Sequence, residues 1–286
     1  MPTTQLQLRK ELLIRARDCL LAVQQDEKME ASEDMEPIII AENVTLEAYI
    51  KFCKTERKLP VSIRFIDGKV IAYEVPLSEH GKVSDMISFL IRTWNREDLI
   101  VSQNSYLTAD ATIRPPDLPP SPAGQQPNSS GGAYPTMVVE VGNSESLPSL
   151  HSLSTYYFSP RTTIQIYLAI KLFPIHQDGT RAMLALHYLR TNQNKMMPDV
   201  VISFGTAPLH HSTMDFLLND VGVPSVKITG VGFTETTCNA PGITNYQLHI
   251  PAVELFSGSP SGVPVRAING FYLDLWKLQD VVLNVN

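Results

Sequence analysis

Glu140 is the residue whose type and setting point most directly to chemistry. It is the lone acid in the apolar run Thr136-Met-Val-Val-Glu-Val141, and a carboxylate buried in such a run is costly unless it binds a metal, becomes neutral or pairs with a base. Phosphodiester hydrolysis uses converging carboxylates to hold a divalent cation that neutralises the leaving oxygen and generates hydroxide near neutral pH. A first acid in the right order is Asp117, in Arg114-Pro-Pro-Asp117, 23 residues before Glu140. Asp110, in Ala109-Asp-Ala111, is the alternate first acid, and His80 is a further candidate at the opening of a helix. Other chemistries find less support. His210 and His211 are adjacent rather than spaced for one face, and Cys238 has no nearby partner. Neither a Gly-x-Ser-x-Gly elbow nor a phosphate-binding Gly-x4-Gly-Lys-Ser/Thr loop occurs.

The elements that would position these residues are legible in the spacing of apolar side chains. Leu13, Ala16, Cys19, Leu20 and Val23 mark one face of an amphipathic N-terminal helix. The acidic stretch 24–37 then lacks periodic apolar residues and reads as a solvated linker. Asn43 or Thr45 can cap a short helix over the following ten residues. Asp67-Gly68, flanked by Ser62-Ile-Arg-Phe-Ile66 and Lys69-Val-Ile-Ala-Tyr-Glu-Val75, predicts a tight two-stranded hairpin. Val83, Ile87, Leu90, Ile91 and Trp94 predict a second amphipathic helix. Strands near 98–107 and 110–114 lead into a Pro-, Gly- and Ser-rich loop, and Glu140 follows in a core strand. A helix over about 147–158, a buried strand over 163–173 and a hairpin partner over 181–190 complete the central region. Short strands at 199–204 and 225–229, a helix near 212–221 and an apolar final segment at 271–283 follow. This order predicts an α/β fold, a mixed central sheet flanked by helices.

Composition bounds the function classes. Hydrophobic residues at 43% and charged residues at 18% belong to a chain that folds around a core. A net charge of -6, with no long Lys/Arg run, gives little general electrostatic attraction to nucleic acid, so a nuclease would need a local basic groove. Cys19, Cys53 and Cys238 are odd in number and far apart, which predicts free buried thiols in a reducing compartment. No apolar run approaches the length of a membrane span, and charged residues interrupt the start of the chain as they would not in a secretory signal. The expectation is a protein that is intracellular, cytoplasmic or nuclear, not secreted and not in a membrane; a homo-oligomer is left open.

Between Val44 and Phe173 the sequence resembles the Uma2 family of restriction-endonuclease-like proteins, a branch of the PD-(D/E)XK nuclease superfamily. Thr45-Leu-Glu-Ala-Tyr49 resembles the family's opening helix, Ile66-Asp-Gly-Lys-Val70 its hairpin, and His80 its helix-opening histidine. Arg114-Pro-Pro-Asp117 resembles its Pro-Asp motif, Pro135-Thr-Met-Val-Val-Glu-Val141 with Ser144 its Glu-Val-x-Ser motif, and Tyr156-Tyr157 the tyrosine of its following helix. Two departures stand out. Arg64 occupies the place where many members carry a glutamate, and Gly142 stands where a lysine is expected two residues after the glutamate.

The resemblance implies a nuclease-like domain over 38–190, preceded by the helix and linker of 1–37 and extended by 191–286 packed on the core. It implies Mg²⁺-dependent hydrolysis of DNA, with Asp117, Glu140 and the Val141 carbonyl as ligands and Lys171 or His151 orienting the attacking water. The two carboxylates are then expected about 4 to 6 Å apart, close enough to share one ion. The missing lysine, Arg64 and the acidic balance carry the alternative, a catalytically inactive nuclease fold retained as a binding or interaction module.

Overall fold

The computed structural model describes residues 8, 10–25, 38–55, 59–103, 109–121, 132–234 and 236–284. Most of the acidic stretch after the first helix and the middle of the Pro/Gly/Ser-rich loop lie outside these residues, as does the end of the strand expected over 98–107.

Helix α1 (Lys10–Gln25) buries Leu13, Ala16 and Leu20 of the apolar face read from the sequence, while Cys19 of that face is exposed. After β1 (Ile38–Ala41), helix α2 (Leu46–Thr55) starts where the Thr45 hydroxyl accepts the Ala48 N–H at 3.1 Å, so Thr45 is the cap. Strands β2 (Ser62–Ile66) and β3 (Lys69–Glu74) form the expected hairpin. Asp67 (φ 48°) and Gly68 (φ 81°) both take positive φ, the twist-matched two-residue turn that favours Asp-Gly. β1 adds to the other side of β3, giving an antiparallel sheet in the order β1-β3-β2, and α1 and α2 share its apolar cluster.

Helix α3 (Ser78–Trp94) buries Val83, Ile87 and Ile91 against the central sheet. That sheet begins with β4 (Ile100–Gln103), β5 (Ala111–Arg114) and β6 (Met137–Gly142), all of whose residues are buried. Helix α4 (Leu147–Tyr157) is capped by the Ser146 hydroxyl, which accepts the Ser149 N–H, with Pro148 in its first turn. Strands β7 (Ile166–Ile175), β8 (Arg181–Leu189) and β9 (Val200–Gly205) follow. The helix expected near 212–221 is a short α-helix, α5 (His211–Asp215), running into one π-helical turn over Phe216–Asp220.

Strand β10 (Ile228–Gly230) closes a seven-stranded sheet in the order β10-β9-β8-β7-β6-β5-β4. β6 and β7 pair parallel, as do β9 and β10; the remaining pairs are antiparallel, so the sheet is mixed. One face packs on α4, α5 and the π turn. The other packs on α3 and the C-terminal elements: β11 (Gln247–Ile250), helix α6 (Ala252–Leu255), β12 (Phe271–Asp274) and helix α7 (Leu275–Leu283). The final apolar segment is thus both strand and helix, joined where the Asp274 carboxylate accepts the Trp276 N–H and caps α7. The three cysteines are free, but only Cys238 is buried; Cys19 and Cys53 lie on the outer sides of α1 and α2, contrary to the expectation of buried thiols.

Residues beyond 190 therefore supply two strands of the central sheet and most of the cover on one of its faces. Leu278 of α7 is fully buried in that layer. Replacing it with alanine should lower the free energy of unfolding by about 2–5 kcal/mol, measured by urea denaturation; a loss below about 1 kcal/mol would mean that α7 adds little to the core.

Candidate functional site

The strand register decides which acid meets Glu140. β5 runs antiparallel to β6 with Ala111 opposite Val139 and Ile113 opposite Met137, so one step further brings Asp110 level with Glu140. Asp110 then reaches across, its Oδ2 accepting the Val141 N–H at 2.7 Å. Asp117 lies beyond the other end of β5, seven residues from Asp110, or roughly 20 Å along an extended chain. There it is exposed and accepts from the Ser259 hydroxyl at 2.8 and 2.9 Å and from the Ser261 N–H at 3.1 Å. The expected Asp117–Glu140 pair is not formed; Asp110 is the aspartate beside Glu140, and Asp117 ties the loop after β5 to the C-terminal region.

Glu140 is 1% exposed on β6. Its Oε1 accepts from the Tyr157 hydroxyl of α4 and lies 3.5 Å from Arg64 Nη2. Arg64, on β2 and 7% exposed, donates through Nη1 to Glu145 Oε1 at 2.7 Å, and its guanidinium carbon lies 3.8 Å from the centre of the Tyr73 ring. Burial pushes the Glu140 carboxyl well above the usual carboxylate range; Arg64 pulls it back without overcoming that effect. Glu145 is raised for the same reason, against the charge and hydrogen bond of Arg64 and the hydroxyl of Ser149.

Two further residues organise the loop between β6 and α4. Glu74, fully buried at the end of β3, accepts from the N–H groups of Asn143, Ser144 and Glu145 at 2.8, 2.9 and 3.0 Å and from the Ser144 hydroxyl at 2.5 Å. Lys171, opposite Gly142 in the parallel β6–β7 pair, donates to the carbonyls of Asn143 and Glu145 at 2.8 and 2.6 Å. Lys171 sits two residues beyond Ala169, the register partner of Glu140, and so shares its face of the sheet. Its ammonium holds the loop carbonyls. Arg181 completes the frame, donating through Nη2 to the Asn143 side-chain oxygen at 2.8 Å.

His151 is half-buried on α4, where Nδ1 meets the Tyr188 hydroxyl at 3.0 Å and the ring packs edge-on against Phe216. Burial lowers its pKa, and its partners separate it from the Glu140 cluster. His80, in the first turn of α3, is in the cluster: Nε2 meets Asp110 Oδ1 at 2.7 Å. Burial opposes charge on this ring, but the hydrogen bond and charge of Asp110, with Glu74 and Glu140 behind, outweigh it and raise the pKa to about 9.

Gly142 explains why no lysine follows Glu140. A Cβ at this position would lie 2.5 Å from Leu150 Cδ1, 3.1 Å from its Cγ and 3.3 Å from Glu145 Cβ. Leu150 is fully buried, so α4 packs on the bare backbone of β6.

These residues do not fit a bound Mg²⁺. The ion takes near-octahedral oxygen ligands, and a site for it needs carboxylate oxygens free to coordinate. Both oxygens of Asp110 and of Glu74 accept protein hydrogen bonds, and the Oε1 atoms of Glu140 and Glu145 face Arg64. Val141 contributes its N–H to Asp110. Among the described residues, no group of three or more His, Cys, Asp or Glu side chains is arranged to hold a metal ion. Nor is any helix among them long and apolar enough to cross a membrane.

Of the residues that bind this cluster together, Glu74 and Glu145 were not among those singled out from the sequence. Glu74 carried a signal like that of Glu140, a lone acid in a largely apolar strand.

No protein-family profile matches the chain, and no curated protein matches it. Among solved structures, one described as a "putative nuclease belonging to DUF820" from Anabaena variabilis ATCC 29413 is similar over 61% of this chain and 98% of that one, at 10% identity and a TM-score of 0.36. A likeness at that score establishes neither family nor activity.

Two outcomes test the geometry. Because the His80 pKa rises from 6.5 to about 9 on folding, the protonated ring stabilises the fold fully below pH 6.5, and that contribution, a few kcal/mol at most, is lost as pH climbs through 9. The raised carboxyls of Glu140 and Glu145 act with the same sign. The melting temperature should fall between pH 6.5 and 9, and His80→Gln should flatten that fall; an equally steep profile in the variant would remove His80 as its source. Gly142→Lys should cost about 1–3 kcal/mol through overpacking against Leu150, read by chemical denaturation; an unchanged midpoint would show that α4 can move aside.

Proposed function

We propose that this chain is a non-hydrolytic binding or interaction module on a nuclease-like α/β core. In this reading the buried acids fasten the N-terminal sheet to the central sheet and present no cation to a phosphodiester. The observation that carries it is Arg64. Its guanidinium lies within 2.7 Å of Glu145 and 3.5 Å of Glu140, where a metal-dependent nuclease needs a cation that can also hold water and substrate. A guanidinium has only donors and supplies no coordination site. Lys171 spends hydrogen bonds on two loop carbonyls, and His80 is held by Asp110, so neither is placed to orient a nucleophile beside Glu140.

A second reading, Mg²⁺-dependent DNA endonuclease, is favoured by one observation: Asp110 and Glu140 come level on neighbouring strands, an acid pair in the arrangement that metal-dependent hydrolysis uses. It requires Arg64 to leave its partners.

The deciding experiment is nicking of supercoiled plasmid in Mg²⁺ or Mn²⁺ by the wild-type protein beside Glu140→Gln. The non-hydrolytic reading expects the same background rate from both. Nicking by the wild type at least tenfold faster than by the variant would establish the endonuclease instead.

A further inference from the structure

The guanidinium of Arg64 is more than nine-tenths buried, yet its Nη2 has no hydrogen-bond partner, although it lies 3.5 Å from Glu140 Oε1. A buried N–H group without an acceptor is costly, and arginine normally meets carboxylates through paired, well-aligned bonds. Here a single guanidinium sits between two carboxylates on the flat face of Tyr73, making one good hydrogen bond, to Glu145, and one misaligned contact, to Glu140. Asp110 adds its charge from the next strand. The pocket is thus matched to a positive charge more closely than to the shape of a guanidinium.

We propose that Arg64 is a built-in counter-cation occupying a latent divalent-cation seat between Glu140 and Glu145, and that removing its charge lets a free divalent ion take its place. The inference rests on the non-hydrolytic reading, because it treats the arginine as what keeps the ion out. With the guanidinium present, an entering ion would meet a fixed positive charge and carboxylate oxygens already engaged. With a neutral side chain there, two buried carboxyls lose their cation, and an ion that ligates both restores the charge balance.

The test uses the full chain and Mn²⁺ as the probe, with binding followed by calorimetry and thermal unfolding. Wild type should show no Glu140-dependent Mn²⁺ binding and no shift in melting temperature. Arg64→Gln should bind Mn²⁺ at least tenfold more tightly than wild type, with a melting temperature that rises on adding the ion, and Arg64→Gln combined with Glu140→Gln should lose both effects. Arg64→Lys, which keeps the charge, should behave as wild type. If Arg64→Gln does not fold alone, millimolar Mn²⁺ should restore its circular dichroism spectrum, since ligand binding to the native state draws folding forward. A folded Arg64→Gln that ignores Mn²⁺, an unfolded one that Mn²⁺ does not rescue, or a wild type that binds Mn²⁺ through Glu140 would each overturn the proposal. Failure of the variant to bind leaves the non-hydrolytic reading intact, whereas Glu140-dependent nicking by wild type overturns that reading whatever the variant does.

Discussion

Four carboxyl groups, those of Glu74, Asp110, Glu140 and Glu145, crowd the end of β6, three of them almost wholly out of water. Charges in such a place must be met inside the protein or suppressed by protonation. Here they are met by Arg64 from β2, His80 from α3, Tyr157 from α4 and backbone N–H groups at the end of β6 and just after it, while Lys171 from β7 and Arg181 from β8 hold the loop that carries those N–H groups. The result joins two sheets that share no strand. Arg64 and Glu74 belong to the small antiparallel sheet, and they reach across to Glu140 of the central sheet and to residues 143–145 that follow its strand β6. Removing one partner from such a buried network typically costs about 3–5 kcal/mol, whereas an apolar replacement of the whole network can be neutral. Its role is accordingly better described as fixing how the two sheets meet than as adding net stability.

Much of the architecture was legible before any coordinates. Local signals carried it: Asp67-Gly68 dictates the hairpin because both residues tolerate positive φ, and the spacing of Val83, Ile87 and Ile91 sets the buried face of α3. Glu140 was legible as a buried acid because nothing else in its strand is polar. The first acid was misread because order and separation along the chain do not say which end of β5 lies beside Glu140. Antiparallel pairing reverses direction, so the nearer aspartate in sequence, Asp117, is the more distant one along the strands. Arg64 was noticed as a substitution, but its position between two acids depends on a contact across 81 residues that no local pattern encodes. The sharing of a sheet face by Lys171 and Glu140 follows from strand alternation once the register is known, and the loop carbonyls that engage its ammonium do not.

Gly142 and Leu150 make a second constraint on the same place. The strand that carries Glu140 ends in a residue with no side chain so that α4 can approach it, and that approach brings Tyr157 onto Glu140. Helix packing and the environment of the central acid are therefore one feature: a larger residue at 142 would disturb the tyrosine as well as the leucine. The aromatic layer behind it, Tyr157 against Tyr167 and Tyr167 against Tyr188, leaves little room for α4 to retreat.

The direction of β5 against β6 also separates the site from the segment that joins them. Both acids stand at one end of this strand pair, while the connection between the strands leaves from the other, where Asp117 and Thr136 tether it to Ser259, Ser261 and the Leu255 carbonyl. Loop closure grows only slowly more costly with length. That connection can therefore change in length without altering which side chains face each other at the acidic end, where the buried charges stay as they are.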